Sequence, residues 1–243
     1  MSYIYIVIPT YNEDKNILSL INYIRNNLPT SIICIVDDSK KDKIKKILKK
    51  NKINKIYYYH RKNCKGRGSA VLYGFNKLYK KQKNAIFIEM DADFSHSPSE
   101  LSRNINFFKR NKCDLLISSR YLPTSKIINW PISRKILSKL SNFLANFILR
   151  INVTDYTNGF RIYSNKAVNI ILKKCGNIGD GFIILSEILL VIYINKLKID
   201  QIDSIFVNRL RGKSSVNFTL IFQSFLGLLK LFFTKKRYLM EDK

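Results

Sequence analysis

The chain has 243 residues, 46% of them hydrophobic, enough to bury the core of one large domain or of one domain with an appendage. Its formal net charge is +26, much of it Lys in Lys/Asn/Ile-rich stretches such as Lys40 to Lys55, so the candidate partners are nucleic acid, an anionic membrane surface or phosphorylated substrates. Cys34, Cys64, Cys113 and Cys175 stand far apart with no C-x-x-C pair, which argues against a zinc site and fits buried free thiols at Cys34 and Cys113 in a reducing compartment.

Met1-Ser2-Tyr3-Ile4 leads directly into a strand pattern, so no signal peptide is expected. Tyr3 to Pro9 is β-branched and aromatic, a strand, and Pro9-Thr10-Tyr11-Asn12-Glu13 is a turn. Ile17, Leu20, Ile21 and Ile24 give helical spacing over Asn16 to Asn27. Ile32 to Val36 is a second buried strand ending in Asp37-Asp38-Ser39. Lys43 to Lys50 reads as a basic helix and Ile53 to Tyr59 as a third strand. Gly66-Arg67-Gly68-Ser69 opens a helix that runs through Leu78. Ala85 to Met90 is a fourth strand, and it stops at Asp91 and Asp93. Ser97-Pro98-Ser99-Glu100 is a helix start with Pro in the first turn, and Leu115 to Ser119 is a fifth strand. Apolar strands alternating with helices predict the α/β class, a mainly parallel sheet with helices on both faces.

After Tyr121 the pattern changes. Ile136 to Ile151 is amphipathic, Val168 to Lys174 and Phe182 to Ile194 are helical, and Ile202 to Val207 is a late strand. Phe218 to Phe233 is a final apolar helix, interrupted by Gln223 and Lys230 and followed by Lys235-Lys236-Arg237. No repeat or long linker divides the chain, which predicts a domain over 1–215 and a C-terminal amphipathic helix with a basic tail over 216–243.

Three polar clusters end successive strands: Thr10 with Glu13, Asp37 with Asp38, and Asp91 with Asp93. In a parallel sheet they share one rim, where open α/β sheets bind ligands. Asp91 and Asp93 offer two hard oxygen donors suited to Mg²⁺ or Mn²⁺ when substrate phosphates add further ligands. The ordinary alternative is a set of Asp-rich turns, with Asp93 or Ser95 capping the next helix. Arg67 between two glycines either brings backbone N–H groups to a phosphate or marks a plain helix start, and His60 reads as a strand-end surface residue.

Val7-Ile8-Pro9-Thr10-Tyr11-Asn12-Glu13, Val36-Asp37-Asp38-Ser39 and Asp91-Ala92-Asp93-Phe94-Ser95-His96-Ser97-Pro98 resemble the opening motifs of the inverting family 2 glycosyltransferases of GT-A fold. Ser119-Arg120-Tyr121, Arg134-Lys135-Ile136-Leu137-Ser138, Thr157-Asn158-Gly159-Phe160-Arg161, and Arg209 followed by Gly212 and Ser214 continue the likeness in order. They are similar to the polyprenyl- and dolichyl-phosphate mannosyltransferase branch. The resemblance implies that Pro9, Tyr11, Glu13 and Asp38 line the nucleotide site, joined by Arg209 and Ser214 from a mobile loop. It implies a metal site at Asp91, Asp93 and Ser95, and an acceptor-phosphate site at Arg120, Arg134 and Ser138. Arg134 and Ser138, four apart, share a helix face, and a guanidinium fork suits phosphate. The catalytic candidates are Asp91, Asp93, Arg120 and Asp155, the last orienting a sugar hydroxyl, serving as a base or capping a loop. Glu187 matches an acid near the acceptor or forms a helix-edge salt bridge. The loop Asp37-Asp38-Ser39-Lys40-Lys41-Asp42 is shorter and more basic than the family's, which leaves GDP against UDP open.

The expected reaction is therefore sugar transfer, mannose from GDP-mannose, onto a polyprenyl or dolichyl monophosphate at the cytoplasmic side of a membrane, either endoplasmic reticulum or plasma membrane. A UDP-glucose or UDP-N-acetylhexosamine donor is the alternative, and a non-enzymatic nucleic-acid binder a more distant one. Ile136 to Ile151 and Phe218 to Phe233 fit helices in the membrane interface, with core helices as the plain alternative and a membrane-spanning partner subunit as another cover for the second.

Overall fold

A computed structural model describes residues 3–62, 66–82, 84–179, 181, 183–208, 226–235 and 238. Strand β1 (Tyr3–Thr10) shows why the sheet is buried on both sides. Successive side chains point to opposite faces, so Tyr5 and Val7 enter one core cluster while Ile6 and Ile8 enter the other. The strands β2 (Ile32–Asp37), β3 (Ile56–His60) and β4 (Ala85–Glu89) run parallel to it. On one face lie helices α1 (Ile17–Asn27) and α2 (Lys43–Lys50), with the 3-10 turn Pro98–Glu100 leading into α4 (Leu101–Arg110). On the other lie α3 (Arg67–Tyr79), α6 (Asn165–Lys174) and the strongly apolar α7 (Ile183–Ile194).

Among the described residues the main sheet has seven strands in the order β3-β2-β1-β4-β7-β5-β8, where β5 is Leu115–Ser119, β7 is Arg161–Tyr163 and β8 is Ile199–Asp203. β7 is antiparallel to both neighbours, with Arg161 opposite Glu89 on one side and Ile117 on the other. An inverted strand begins at the rim where its parallel neighbours end. The residues just before it, Asp155 to Phe160, are thereby delivered beside the ends of β1, β2, β4 and β5.

The expected α/β class and parallel sheet are present, with local differences. β3 starts at Ile56, because Lys52 and Lys55 take left-handed φ values of 48° and 55° and the Asn54 and Lys55 carbonyls accept from Arg25 at 3.0 Å each. The late strand expected over Ile202 to Val207 is two strands in two sheets. Buried Glu100 draws the chain off the sheet edge at this point, accepting from Ser204 Oγ at 2.7 Å and Ile205 N at 2.8 Å. Beyond that break, β9 (Ile205–Val207) pairs with β6 (Lys126–Ile128) in a separate ribbon. Strands of three residues are too short to display a period, so neither β6 nor β7 is legible in the sequence.

Helix α5 (Ile132–Leu149) starts just after Pro131, four residues earlier than its amphipathic pattern suggests. It is not an ordinary core helix. Ile132, Ile136, Leu140, Phe143 and Phe147 are all exposed, the two phenylalanines by 65% and 67%, while Asn142, Ala145 and Leu149 face inward. Residues 226–235 form a further helical stretch with Leu226, Leu229, Phe232 and Phe233 exposed. Residues 218–225 of the expected C-terminal helix, and the basic pair Lys236-Arg237, lie outside the described residues. No described helix is long and apolar enough to cross a membrane.

Candidate active site

The rim begins at β1 and β2, whose parallel register sets Thr10 level with Asp37. Adjacent Asp37 and Asp38 have opposite fates because adjacent strand residues point opposite ways. Asp37 is fully buried and ties the loop together, accepting from Thr10 Oγ1 at 3.1 Å, Ser39 N at 3.1 Å and Tyr58 Oη at 3.0 Å. Desolvation and the neighbouring Asp42 and Asp37 push the Tyr58 phenol far above its ordinary value, so it stays a donor. Asp38 instead meets Arg61 in a buried two-pronged pair, 2.7 Å to Nε and 2.6 Å to Nη2. His60 is not a free surface residue: its Nε2 lies 2.6 Å from the Ser39 carbonyl. Tyr11, Asn12, Asp14, Ser39 and three lysines, Lys40, Lys41 and Lys43, line a cleft of about 260 Å³ beside this loop. Of the residues expected at a nucleotide, Pro9, Tyr11, Glu13 and Asp38 lie on or next to this loop cluster, while Arg209 and Ser214 lie outside the described residues.

The second group surrounds the end of β4. Asp93 and Ser95 are buried, and Ser95 donates to Asp93 through both its N–H and its hydroxyl. Phe94 between them has φ +62°, a sharp reversal that few side chains adopt without a local reason. Asp91 is more open, and its Oδ1 accepts from Arg67 Nε at 2.8 Å and Nη2 at 2.7 Å. The same guanidinium donates through Nη1 to buried Glu89, which also accepts from Tyr163 Oη at 2.8 Å. Burial opposes the Arg67 charge, but Asp91 and Glu89 outweigh it and raise its pKa above the ordinary arginine value. His96 Nδ1 accepts from Asp91 N–H at 3.0 Å, so the ring proton is on Nε2, which faces Asn158 Oδ1 at 2.9 Å. Among the described residues no third His, Cys, Asp or Glu joins the aspartates as a metal cage. Two carboxylates without a cage are the donor set that Mg²⁺ accepts when phosphates and water complete its shell.

The third group is cationic and aromatic. Arg120, at the end of β5, is buried against Asp155, with Nε and Nη2 at 2.8 and 2.7 Å from its two oxygens, and a further bond reaches Thr157 Oγ1. Asp155 also accepts from the backbone N–H groups of Arg120, Thr157 and Asn158. Burial alone would raise the Asp155 pKa, yet the Arg120 charge and these hydrogen bonds hold it below the usual carboxylate value. Burial likewise works against charged Arg120, and Asp155, with Tyr121 and Asp91 beyond, more than reverses that. Arg134, in the first turns of α5, lies 4.1 Å over the Trp130 ring and donates to Asn208 Oδ1 at 3.0 Å. Ser138 accepts from Tyr121 Oη at 2.6 Å. Trp130 meets Phe206 edge-on at 5.1 Å, and Phe206 meets His96 at 5.4 Å. A continuous run of side chains thus joins Asp91 to the arginines.

Arg61, the Arg67–Glu89–Tyr163 relay and the Trp130–Phe206 pair are not read from the sequence as site residues. The Gly66-Arg67-Gly68 motif is the one signal that points to any of them, and there the side chain, not the backbone, makes the contacts. Glu187 is buried in α7, where it accepts from Gly176 N, Asn177 N and Tyr238 Oη instead of forming a salt bridge at a helix edge.

Residues 5–171 match the family model for glycosyl transferase family 2. The chain belongs to this family. It is 32% identical over 179 residues to the undecaprenyl-phosphate mannosyltransferase of Micrococcus luteus, covering 72% of each protein. It is 33% identical over 166 residues to the polyprenol monophosphomannose synthase of Mycolicibacterium smegmatis, a match that takes in 67% of this chain and only 62% of that protein. Among solved structures it is similar to the glucosyl-3-phosphoglycerate synthase of Mycobacterium tuberculosis crystallised with Mn²⁺, UDP and glucosyl-3-phosphoglycerate. The TM-score is 0.68 at 14% identity, over 94% of this chain and 79% of that one, a likeness of fold. A family 2 glycosyltransferase is an enzyme of GT-A architecture, and the non-enzymatic nucleic-acid reading falls with that membership.

Proposed function

We propose that this glycosyltransferase moves mannose from GDP-mannose onto a polyprenyl monophosphate, with inversion, at the cytoplasmic surface of a membrane. The observation that carries the reading is that Arg120, Arg134 and Ser138 gather on the same rim as Asp91 and Asp93, joined to Asp91 through Trp130, Phe206 and His96. The names of the two relatives, a polyprenol monophosphomannose synthase and an undecaprenyl-phosphate mannosyltransferase, support the sugar and the lipid phosphate.

In this reading the cleft by Tyr11 and the lysines takes the nucleotide, and Asp38, fixed by Arg61, stands next to Ser39 in the cleft wall. Asp91 and Asp93 would hold a divalent cation, Mg²⁺ or Mn²⁺, which would supply charge neutralisation for the departing diphosphate. Arg67 and Ser95 each hold one carboxylate oxygen of this pair and so fix its orientation. The nucleophile is an acceptor phosphate oxygen, already anionic near neutral pH, so it needs positioning more than deprotonation. Arg134, Ser138 and Arg120 supply that positioning. Asp155 is taken up by Arg120 and acts as its anchor. The phosphate oxygen bonds to the anomeric carbon as the bond to the diphosphate breaks on the opposite face. GDP leaves with the electron pair, and an α-linked donor gives a β-linked product.

The exposed stripe of α5 suits the membrane surface at which a long isoprenoid keeps its phosphate. The exposed face of 226–235 suits the same surface or a membrane-spanning partner subunit. Membranes carrying the protein are incubated with labelled GDP-mannose, UDP-glucose or a UDP-N-acetylhexosamine, with and without Mn²⁺ or Mg²⁺. Labelled polyprenyl-phosphate mannose, dependent on the ion and abolished by Asp93→Asn, is the expected product. Label in no lipid from any donor, or undiminished turnover in that variant, refutes the assignment.

A further inference from the structure

Trp130 is the single tryptophan of the chain. It is buried just ahead of α5, with one guanidinium 4.1 Å from its ring centre and that of Arg120 at 5.5 Å. Its indole nitrogen is enclosed, and among the described residues it has no hydrogen-bond acceptor. A buried donor without a partner calls for an explanation in a native fold. Its neighbours do not supply one. Arg120 and Arg134 carry donors only, and the acceptors close by are engaged, Asn208 Oδ1 with Arg134 and the Asp155 carboxylate with Arg120. The first turn of α5, an 18-residue helix, adds outward N–H groups, with no acidic residue and no side-chain cap to meet them. Trp130 Nε1 and the N–H groups that begin α5 are donors, so the ligand that matches them is an anion with several oxygens. Two residues on, Ile132 is 76% exposed and opens the apolar stripe of α5, so an anion at Trp130 has a surface for a hydrocarbon tail beside it.

We propose that Trp130 is a binding residue for the acceptor: its indole N–H donates to an oxygen of the lipid phosphate while its ring holds Arg134 in place for another. This rests on the reading above that Arg134 meets the acceptor phosphate. Phosphate recognition is then shared between two charged forks and one neutral donor, and the neutral donor discriminates by direction because its ring is fixed between Arg134 and Phe206.

The test uses the full chain and farnesyl monophosphate as probe. Because no second tryptophan contributes, tryptophan emission reports on this site alone. Emission is expected to shift saturably with the probe, and less with inorganic phosphate, in step with binding measured by calorimetry. Two replacements follow: Trp130→Phe, and incorporation of β-(3-benzothienyl)alanine, which keeps a bicyclic ring but puts sulfur in place of N–H. Both should raise the acceptor KM about tenfold or more, the loss expected for a hydrogen bond to a charged group, with the GDP-mannose KM unchanged. The benzothienyl protein keeps the test available if the phenylalanine variant folds poorly. An acceptor KM within about twofold of the natural protein for the benzothienyl form, or calorimetric binding without any change in emission, overturns the proposal. If neither the natural protein nor Arg134→Ala shows any response to farnesyl monophosphate by either method, the acceptor assignment itself fails and this proposal fails with it.

Discussion

Adding one methyl group at Gly159 tests the relay behind Asp91. A Cβ there would lie 1.9 Å from Arg67 Nη2, 2.5 Å from Cζ and 2.9 Å from Nη1. Ordinary carbon contacts begin near 3.5 Å, so the fork must retreat by about 1.5 Å. The end of an arginine usually moves cheaply, but this one is pinned at 2.7–2.8 Å to Asp91 and through Nη1 to Glu89. A retreat of that size stretches those bonds past useful range. Glu89, almost fully buried, then keeps only Tyr163 Oη at 2.8 Å. Stranding a buried charge costs about 3–5 kcal/mol. Backbone relaxation and the stiffer unfolded chain of an alanine return about 1 kcal/mol. Gly159→Ala should therefore lose about 2–4 kcal/mol, read as a lower urea midpoint at unchanged slope. Sugar transfer should fall about ten- to hundredfold as Asp91 loses its orientation. In an Arg67→Ala background the same change should cost less than about 0.5 kcal/mol, since the clash is gone. If Gly159→Ala alone is stable within about 0.5 kcal/mol and turns over normally, Arg67 is not pinned and the relay does not orient Asp91.

Asp155→Asn leaves Arg120 buried without its countercharge and should cost about 3–5 kcal/mol at neutral pH. The folded-state pKa of Asp155 lies below its ordinary 3.8, so its contribution is fully present above that value and is lost as pH falls through the lower, folded one. The stability gap between natural protein and variant should therefore close on acidification, and a gap independent of pH would contradict the pairing. Phe143→Glu with Phe147→Glu replaces two exposed rings on α5. Each buried phenylalanine contributes about 1.5–3 kcal/mol, so sedimentation with anionic vesicles should weaken at least about tenfold while turnover of farnesyl monophosphate changes little. Equal vesicle binding would remove α5 from the membrane surface. Arg61→Ala should raise the KM for the sugar-nucleotide donor and leave the acceptor KM unchanged, because Arg61 fixes Asp38 alone among the expected nucleotide residues.

The sequence by itself determined the strands β1, β2, β4 and β5 and their polar ends. Buried parallel strands are written as unbroken apolar runs, and acids stopping three of them announce a polar rim. It also determined the amphipathic stripe of α5, since helical spacing is local. What it left open was the use of each charge. Asp37 and Asp38 are indistinguishable as letters, but pairing register sends one into a buried knot and the other to Arg61, 23 positions away. Gly66-Arg67-Gly68 reads as a turn until Glu89 and Asp91 close around its guanidinium. Only the tertiary structure inverted β7, which carries Asp155 to the rim beside Arg120, and only it set Trp130 between two arginines. The physical reason is range: hydrophobic periodicity acts along the chain, whereas a charge or an N–H finds its partner through space, after the sheet has chosen its order.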